Sequence, residues 1–174
     1  MLRLTLILAL LFFVAVDAGS QEPPRVSGIP GVVATGTVVE LVKEGFQFIE
    51  GPVGTPDGGL YFTDIPANRI YRLDPSGGID VFRENTNAAN GLALDQSGNL
   101  LAAEGDGKRI IRMDRGGNVT AVATHATAGQ AFLAPNDLIV DRRGGIYVTD
   151  PGPRSHTGKA FVYYIRPDGH VVLV

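Results

Sequence analysis

The chain has 174 residues, enough for about one domain, and 44% of them are hydrophobic against 19% charged, which excludes a disordered polymer. The formal net charge of −3, with Lys and Arg scattered along the chain, argues against nucleic acid as a partner. The lack of cysteine excludes disulfides and thiolate metal sites, and 23 glycines with 11 prolines favour short strands joined by turns over long helices.

The first 18 residues have the pattern of a secretory signal peptide. Arg3 is the only early charge, the segment from Leu4 to Val16 is almost wholly apolar, and Val16-Asp17-Ala18 is a small-residue cleavage pattern. The apolar segment is shorter than the ~20 residues of a standard membrane span, although an uncleaved anchor remains the alternative. We therefore predict cleavage after Ala18 and a secreted or periplasmic protein with no membrane attachment after cleavage.

The mature chain divides into a linker and a repeat. Residues 19–37 form a Pro- and Gly-rich N-terminal linker, and residues 38–174 repeat a unit of strand, turn and second strand ending in an acidic residue. The three copies begin at Glu50, Asn90 and Asn136. Their turns carry Asp and Gly, and their strands carry β-branched or aromatic residues, a pattern typical of β-hairpins.

A second hairpin follows each first one, so each repeat contains four strands. The strands of these second hairpins are predicted at 68–74 and 79–82, at 108–114 and 119–123, and at 161–166 and 171–174. Four strands at a period of about 40 residues are typical of a β-propeller blade. A β-sandwich is the alternative for any single hairpin, but three aligned units favour an all-β propeller.

The blade count is incomplete for a closed ring. Three blades are present, whereas closed propellers have about four to eight. The chain ends at Val174, in or just after the last strand of its third blade. We therefore expect a truncated propeller whose edge strands and interblade apolar faces are exposed.

Oxygen-bearing side chains recur where each repeat begins. The first strand of a propeller blade lines the central channel, so Glu50, Asn90 and Asn136 are expected to converge on the axis. A carboxylate with amide oxygens suits Ca²⁺, Mg²⁺ or Mn²⁺ and suits copper poorly. The alternative is that the asparagines only cap turns. The same alternative, a role in capping a turn, is weakest for Glu50, because Glu is a poor turn residue and the apolar-rich segment 46–49 leads into it.

Five motifs carry a family resemblance, in this order: Ile49-Glu50-Gly51-Pro52-Val53, Tyr61-Phe62-Thr63-Asp64-Ile65, Asn90-Gly91-Leu92-Ala93-Leu94-Asp95, Pro135-Asn136-Asp137 and Tyr147-Val148-Thr149-Asp150-Pro151. Together they resemble the gluconolactonase family, which includes senescence marker protein (regucalcin) and the luciferin-regenerating enzymes. The resemblance extends from about Val38 to Val174. It implies a six-bladed propeller with one divalent cation in its channel, of which this chain is the N-terminal half.

The resemblance also implies roles for individual residues. Glu50 would be a metal ligand, and Asn136 would point at the metal or the substrate. Ca²⁺ is the expected cation, with Mg²⁺, Mn²⁺ or Zn²⁺ as alternatives, and Asn90 and Asp150 are candidate contacts for substrate hydroxyls. The family's other ligands, an Asn in a Pro-Asn-Gly motif and an Asp in a later blade, are not in this chain. Because that Asp is the expected base, no catalytic residue is assigned here.

The acidic residues at the end of the second strand of each unit are expected to have structural roles. Asp64, Glu104 and Asp150 are predicted mainly to cap turns or to pair with Arg69 or Arg109. One of them could instead orient a ligand. The segment 152–158, an insertion relative to the second unit, is predicted as a plain long connection, with a lid or substrate loop as the alternative.

The implied function is metal-dependent hydrolysis of a sugar lactone, with D-glucono-1,5-lactone as the default substrate. The alternative is a non-catalytic propeller that binds a sugar or a protein partner and keeps its metal for structure, since fold alone does not separate the two. A third hypothesis is a gene fragment without activity. From the incomplete ligand set we expect the intact parent, but not this 174-residue form, to hydrolyse lactones.

Overall fold

The computed structural model describes residues 23–127, 129–155 and 157–174, so the predicted signal peptide lies outside the described residues. The chain divides into two compact units between Lys43 and Glu44. In the first unit, antiparallel bridges join Arg25 to Val38 and residue 29 to residue 33, so the compact segment reaches beyond the predicted linker. Within the described ranges, no helix is long and apolar enough to cross a membrane.

The second unit contains twelve antiparallel strands in three sheets. The first sheet contains β1 (Ile49–Gly54), β2 (Leu60–Asp64), β3 (Arg69–Leu73) and β4 (Ile79–Glu84). The second contains β5 (Ala89–Leu94), β6 (Leu100–Glu104), β7 (Arg109–Met113) and β8 (Val119–Ala123). The third contains β9 (Leu138–Val140), β10 (Ile146–Asp150), β11 (Phe161–Ile165) and β12 (Val171–Leu173). Each sheet pairs its strands in chain order, which confirms the predicted all-β fold of three four-stranded blades.

Aspartates fix the hairpin turns by local hydrogen bonds. The carboxylates accept from the backbone amides two and four residues further on, at Asp74, Asp95, Asp114 and Asp141. A short polar side chain that binds its own turn in this way specifies the turn from the sequence alone. The strand positions therefore follow from residues close together in the chain.

These turn contacts predict acid sensitivity. Hydrogen bonds from the side chain and amide of Ser76 hold the pKa of Asp74 below its ordinary value of 3.8, and Asn118 does the same for Asp114. A carboxyl with a lower pKa in the folded chain stabilises the fold above its unfolded pKa, and this contribution is lost as the pH falls through the folded pKa. We expect the free energy of unfolding, measured by denaturant titration, to fall below about pH 4. If the free energy of unfolding of the Asp74→Asn/Asp114→Asn variant fell equally steeply with pH, these two carboxyls would not be the source of the acid sensitivity.

Apolar packing between blades buries the middle sheet on both faces. Ile111 shares a buried cluster with Ile70 of the first sheet. Ile110, its neighbour on the opposite face of β7, shares another with Val148 of the third sheet. The outward face of the third sheet stays apolar and exposed at Ile139, Tyr147 and Val162. The blades are thus stacked face to face, which brings their first strands side by side.

Candidate functional site

Two glycines let the first strands of neighbouring blades approach closely. A Cβ on Gly51, which has φ of 55°, would overlap the carbonyl oxygen of Asn90. A Cβ on Gly91 would lie 2.6 Å from Asp137 Cα and 2.9 Å from the carbonyl oxygen of Asn136. The Gly91 amide donates to that same oxygen at 2.7 Å. Only residues without a side chain fit these contacts, so the glycines determine how close the three strands lie.

The candidate residues of the first two blades lie at β-bulges. The pairing of β1 with β2 shifts register between Glu50 and Val53, and that of β5 with β6 shifts between Ala89 and Leu92. A bulge bends its strand and redirects the side chains beside it, and bulges are common next to active sites. Glu50 and Asn90 therefore sit where the regular alternation of strand side chains is broken.

A cleft of about 600 Å³ opens at one end of the three sheets, and Glu50, Asn90 and Asn136 all line it. Each blade contributes residues at or just before the start of its first strand and residues that follow its second strand. Asp106 and Arg154 also line the cleft. The structure thus brings together the three residues that begin the repeats, as the blade geometry predicts.

The three side chains are free to bind a ligand. Within the described part of the chain, none of Glu50, Asn90 and Asn136 forms a side-chain hydrogen bond or ion pair. The alternative that the asparagines cap turns gains no support, because capping requires such a bond. One carboxylate and two amides offer hard oxygen donors, which fit Ca²⁺ or Mg²⁺. No cluster of three or more His, Asp or Glu side chains suited to a metal occurs among the described residues.

Asp150 does not reach the cleft, which corrects its prediction as a substrate contact. Its side chain is fully buried at the end of β10. Its two oxygens accept hydrogen bonds from the amides of Leu133 at 2.8 Å and Ala134 at 2.7 Å. A buried carboxylate with both oxygens bound by backbone amides is not available to a substrate hydroxyl. The sequence could not reveal this, because the partners lie in a loop of irregular structure.

The other two acidic residues at strand ends differ from each other. Glu104 is fully buried and pairs with Arg109 at 2.5 Å, as predicted, and with Arg83 at 3.0 Å. Asp64 is also buried and binds backbone amides, whereas Arg69 pairs with another residue, Glu84. The predicted pairing with an arginine therefore holds in the second blade only.

Sequence reasoning missed two charged residues of the cleft. Arg154 comes from the inserted segment 152–158, and its guanidinium carbon lies 5.7 Å from the ring centre of Phe48. Asp106 lies in the turn between β6 and β7. The insertion itself was the available signal for Arg154, because extra loop residues in a propeller lie at the ends of the sheets. Nothing in the sequence distinguished Asp106 from other turn aspartates.

Comparisons with known proteins agree with this architecture. Residues 48–174 match the family described as SMP-30/Gluconolactonase/LRE-like region. Over 142 residues, the chain is 28% identical to a gluconolactonase of Zymomonas mobilis, covering 74% of this chain and 39% of the relative. Over 142 residues it is 30% identical to pentonolactonase XacC of Haloferax volcanii, and the match covers 79% of this chain and 45% of the relative. A solved gluconolactonase structure from Xanthomonas campestris is 27% identical with a TM-score of 0.70, and the match covers 76% of this chain and 49% of the solved chain.

The matched region coincides with the three blades. It begins at Phe48, one residue before β1, and it includes Glu50, Asn90 and Asn136. The chain spans less than half the length of the two curated relatives. The family match covers most of the chain, and a solved relative has the same fold. Both findings lead to the same family. The chain belongs to the SMP-30/gluconolactonase/LRE-like family.

Proposed function

We propose that the protein hydrolyses a sugar lactone with the help of a divalent cation bound in the cleft. The observation that carries the proposal is the convergence of three unpaired oxygen-bearing side chains, Glu50, Asn90 and Asn136, on one cleft. The relatives support the substrate class, because two of them are a gluconolactonase and a pentonolactonase. D-glucono-1,5-lactone is the default substrate.

Glu50 and Asn136 are the residues that would hold the cation. Ca²⁺ accepts carboxylate and amide oxygens in flexible geometry and takes six to eight ligands, so water and further oxygens would complete the shell. Mg²⁺ and Mn²⁺ accept the same donors, whereas Zn²⁺ sites are built mainly from histidine nitrogen and cysteine sulfur, which these residues do not offer. Calcium is therefore the proposed cation.

The chain's own residues would bind and orient the lactone. A hard divalent cation, when bound, polarises a carbonyl as a Lewis acid. Asn90 can both donate to and accept from a ring hydroxyl through its amide. Arg154, at the same cleft, can bind the carboxylate that forms when the ring opens. The general base is not assigned to a residue of this chain.

Export is part of the proposal. An apolar segment from Leu4 to Val16 follows a single early charge, and small residues precede the polar segment 19–22. This pattern supports secretion or transfer to a periplasm, with cleavage after Ala18. N-terminal sequencing of the protein recovered outside the cytoplasm tests it, and retention of Met1 would contradict it.

An assay of lactone hydrolysis tests the proposed activity. We expect the intact parent protein, but not the 174-residue form, to hydrolyse D-glucono-1,5-lactone, a chelator to abolish the activity and calcium to restore it. Glu50→Gln removes the only carboxylate among the three donors, and kcat/KM should fall about 10²–10³-fold. Glu84→Gln makes the same change at an exposed surface pair and should leave kcat/KM unchanged. Sugar binding without hydrolysis would instead indicate a non-catalytic binding protein.

A further inference from the structure

Two buried aspartates occupy matching places in the first and third blades. Asp64 is the last residue of β2, and Asp150 is the last residue of β10. Asp64 follows Glu50 by 14 residues, and Asp150 follows Asn136 by the same 14. Their exposed fractions are 2% and 0%. Each blade that supplies a proposed metal ligand thus has a buried carboxylate at one fixed distance along the chain.

Both carboxylates bind the backbone that leads into the ligand. In the first blade, Gln47 and Phe48 donate their amides to the two oxygens of Asp64, at 3.0 and 3.1 Å. The second of these amides lies two residues before Glu50. Each carboxylate oxygen takes one amide, so the loop is held at two successive points.

The third blade repeats this arrangement atom for atom. Leu133 donates to Oδ2 of Asp150 and Ala134 donates to Oδ1, at 2.8 and 2.7 Å. The second amide again lies two residues before the proposed ligand, Asn136. Bonds between a buried carboxylate and amides are charge-assisted and strong, so both loops are fixed from the same side.

The second blade lacks this contact. Glu104 stands at the corresponding position, but its longer side chain binds Arg83 and Arg109. The corresponding amide of Ala88 donates instead to Oδ1 of Asn68, at 3.0 Å. The carboxylate–amide contact is therefore confined to the two blades that supply the proposed metal ligands.

We propose that Asp64 and Asp150 are positioning residues that fix Glu50 and Asn136 for cation binding. This inference rests on the proposed function. Neither aspartate would contact the cation, because both carboxylates are buried and accept hydrogen bonds from backbone amides. Each holds the loop that carries a ligand, and outer groups of this kind typically change metal affinity about 10–100-fold.

Asparagine substitutions test the inference directly. Asp150→Asn keeps the size of the side chain but replaces one acceptor with a donor facing a backbone amide, so the loop loses one of its two bonds. We expect the calcium affinity of the protein to fall about 10–100-fold, as followed by NMR of the side-chain amide of Asn136 during a calcium titration. Amide hydrogen exchange at Leu133 and Ala134 should become faster even without calcium. Asp64→Asn should repeat the loss of affinity.

The matched control is Val148→Ala, which removes two methyl groups from the buried core two residues before Asp150 in the same strand. It destabilises the blade without touching the loop, so calcium affinity should stay within two-fold of the wild type. A two-fold change in affinity corresponds to about 0.4 kcal/mol of binding free energy. Equal losses of affinity in Val148→Ala and Asp150→Asn, or no loss in either aspartate variant, would overturn the inference and leave the proposed function standing. A wild-type protein that binds no calcium would refute the proposed function and the inference together.

Discussion

Substitution of Gly51 by alanine is expected to lower the free energy of unfolding by about 3–5 kcal/mol. Gly51 has φ of 55°, and an added Cβ would overlap the carbonyl oxygen of Asn90 and lie 3.0 Å from the amide nitrogen of Leu92. Both atoms belong to the backbone of the next blade, so neither can move alone. The first two blades would have to separate where Glu50 and Asn90 line the cleft.

The surroundings of Gly51 leave little room for adjustment. The hydroxyl of Thr63, which is fully buried, lies 3.0 Å from the carbonyl oxygens of both Glu50 and Asn90. Any movement that relieves the added methyl group stretches these contacts. We therefore expect the loss of stability to be accompanied by a loss of calcium binding.

Gly58→Ala is the control for backbone strain alone. Gly58 also has positive φ, at 89°, but nothing lies within 4 Å of an added Cβ. Its alanine variant should lose only about 1 kcal/mol, the cost of placing a side chain in the left-handed region. Thermal and denaturant unfolding of both variants measure the difference. Equal losses would show that the close approach of the blades does not restrict residue 51.

Substitution of Glu104 by alanine is the second large expected effect. Its carboxylate is fully buried between Arg109 and Arg83, and Asn87 Nδ2 donates to it at 3.1 Å. Removal of the carboxylate leaves Arg83, whose side chain is only 17% exposed, without its partner. Breaking a buried ion pair from one side costs about 3–5 kcal/mol, because the remaining charge stays out of water. Denaturant unfolding measures this loss.

A second ion pair of the same type provides the control. Glu84 pairs with Arg69 at 2.8 Å, but both side chains are largely exposed, at 57% and 43%. Exposed pairs contribute about 0–1 kcal/mol, so Glu84→Ala should change the free energy of unfolding little. A small loss for Glu104→Ala, similar to that for Glu84→Ala, would show that water reaches the Glu104 cluster.

The sequence predicted the blades well because their strands are specified locally. The turn aspartates bind amides only two and four residues away, so each hairpin can be read from a short segment. The predicted strand 119–123 matches β8, and the predicted strand 161–166 ends one residue after β11. The repeat also identified Glu50, Asn90 and Asn136, because equivalent positions in blades come together once the blades stack.

Long-range contacts account for what the sequence did not predict. Asp150 is held by amides from a loop 16 and 17 residues earlier in the chain, and the repeat that places an acidic residue there does not reveal its partners. Arg154 lines the cleft beside Phe48, a residue more than a hundred positions earlier in the chain. The need for glycine at position 91 comes from the backbone of the next blade. Such features depend on how the blades stack rather than on residues near in sequence.

Calorimetric titration of calcium into the protein and into the Glu50→Gln/Asn136→Ala variant tests directly whether the shared cleft binds a hard cation. Glu50 and Asn136 are exposed and form no side-chain bonds within the described residues, so the double variant should keep its stability. We predict saturable binding of one calcium ion to the wild type and none to the double variant. Unchanged calcium binding in a folded double variant would show that Glu50 and Asn136 do not hold the cation.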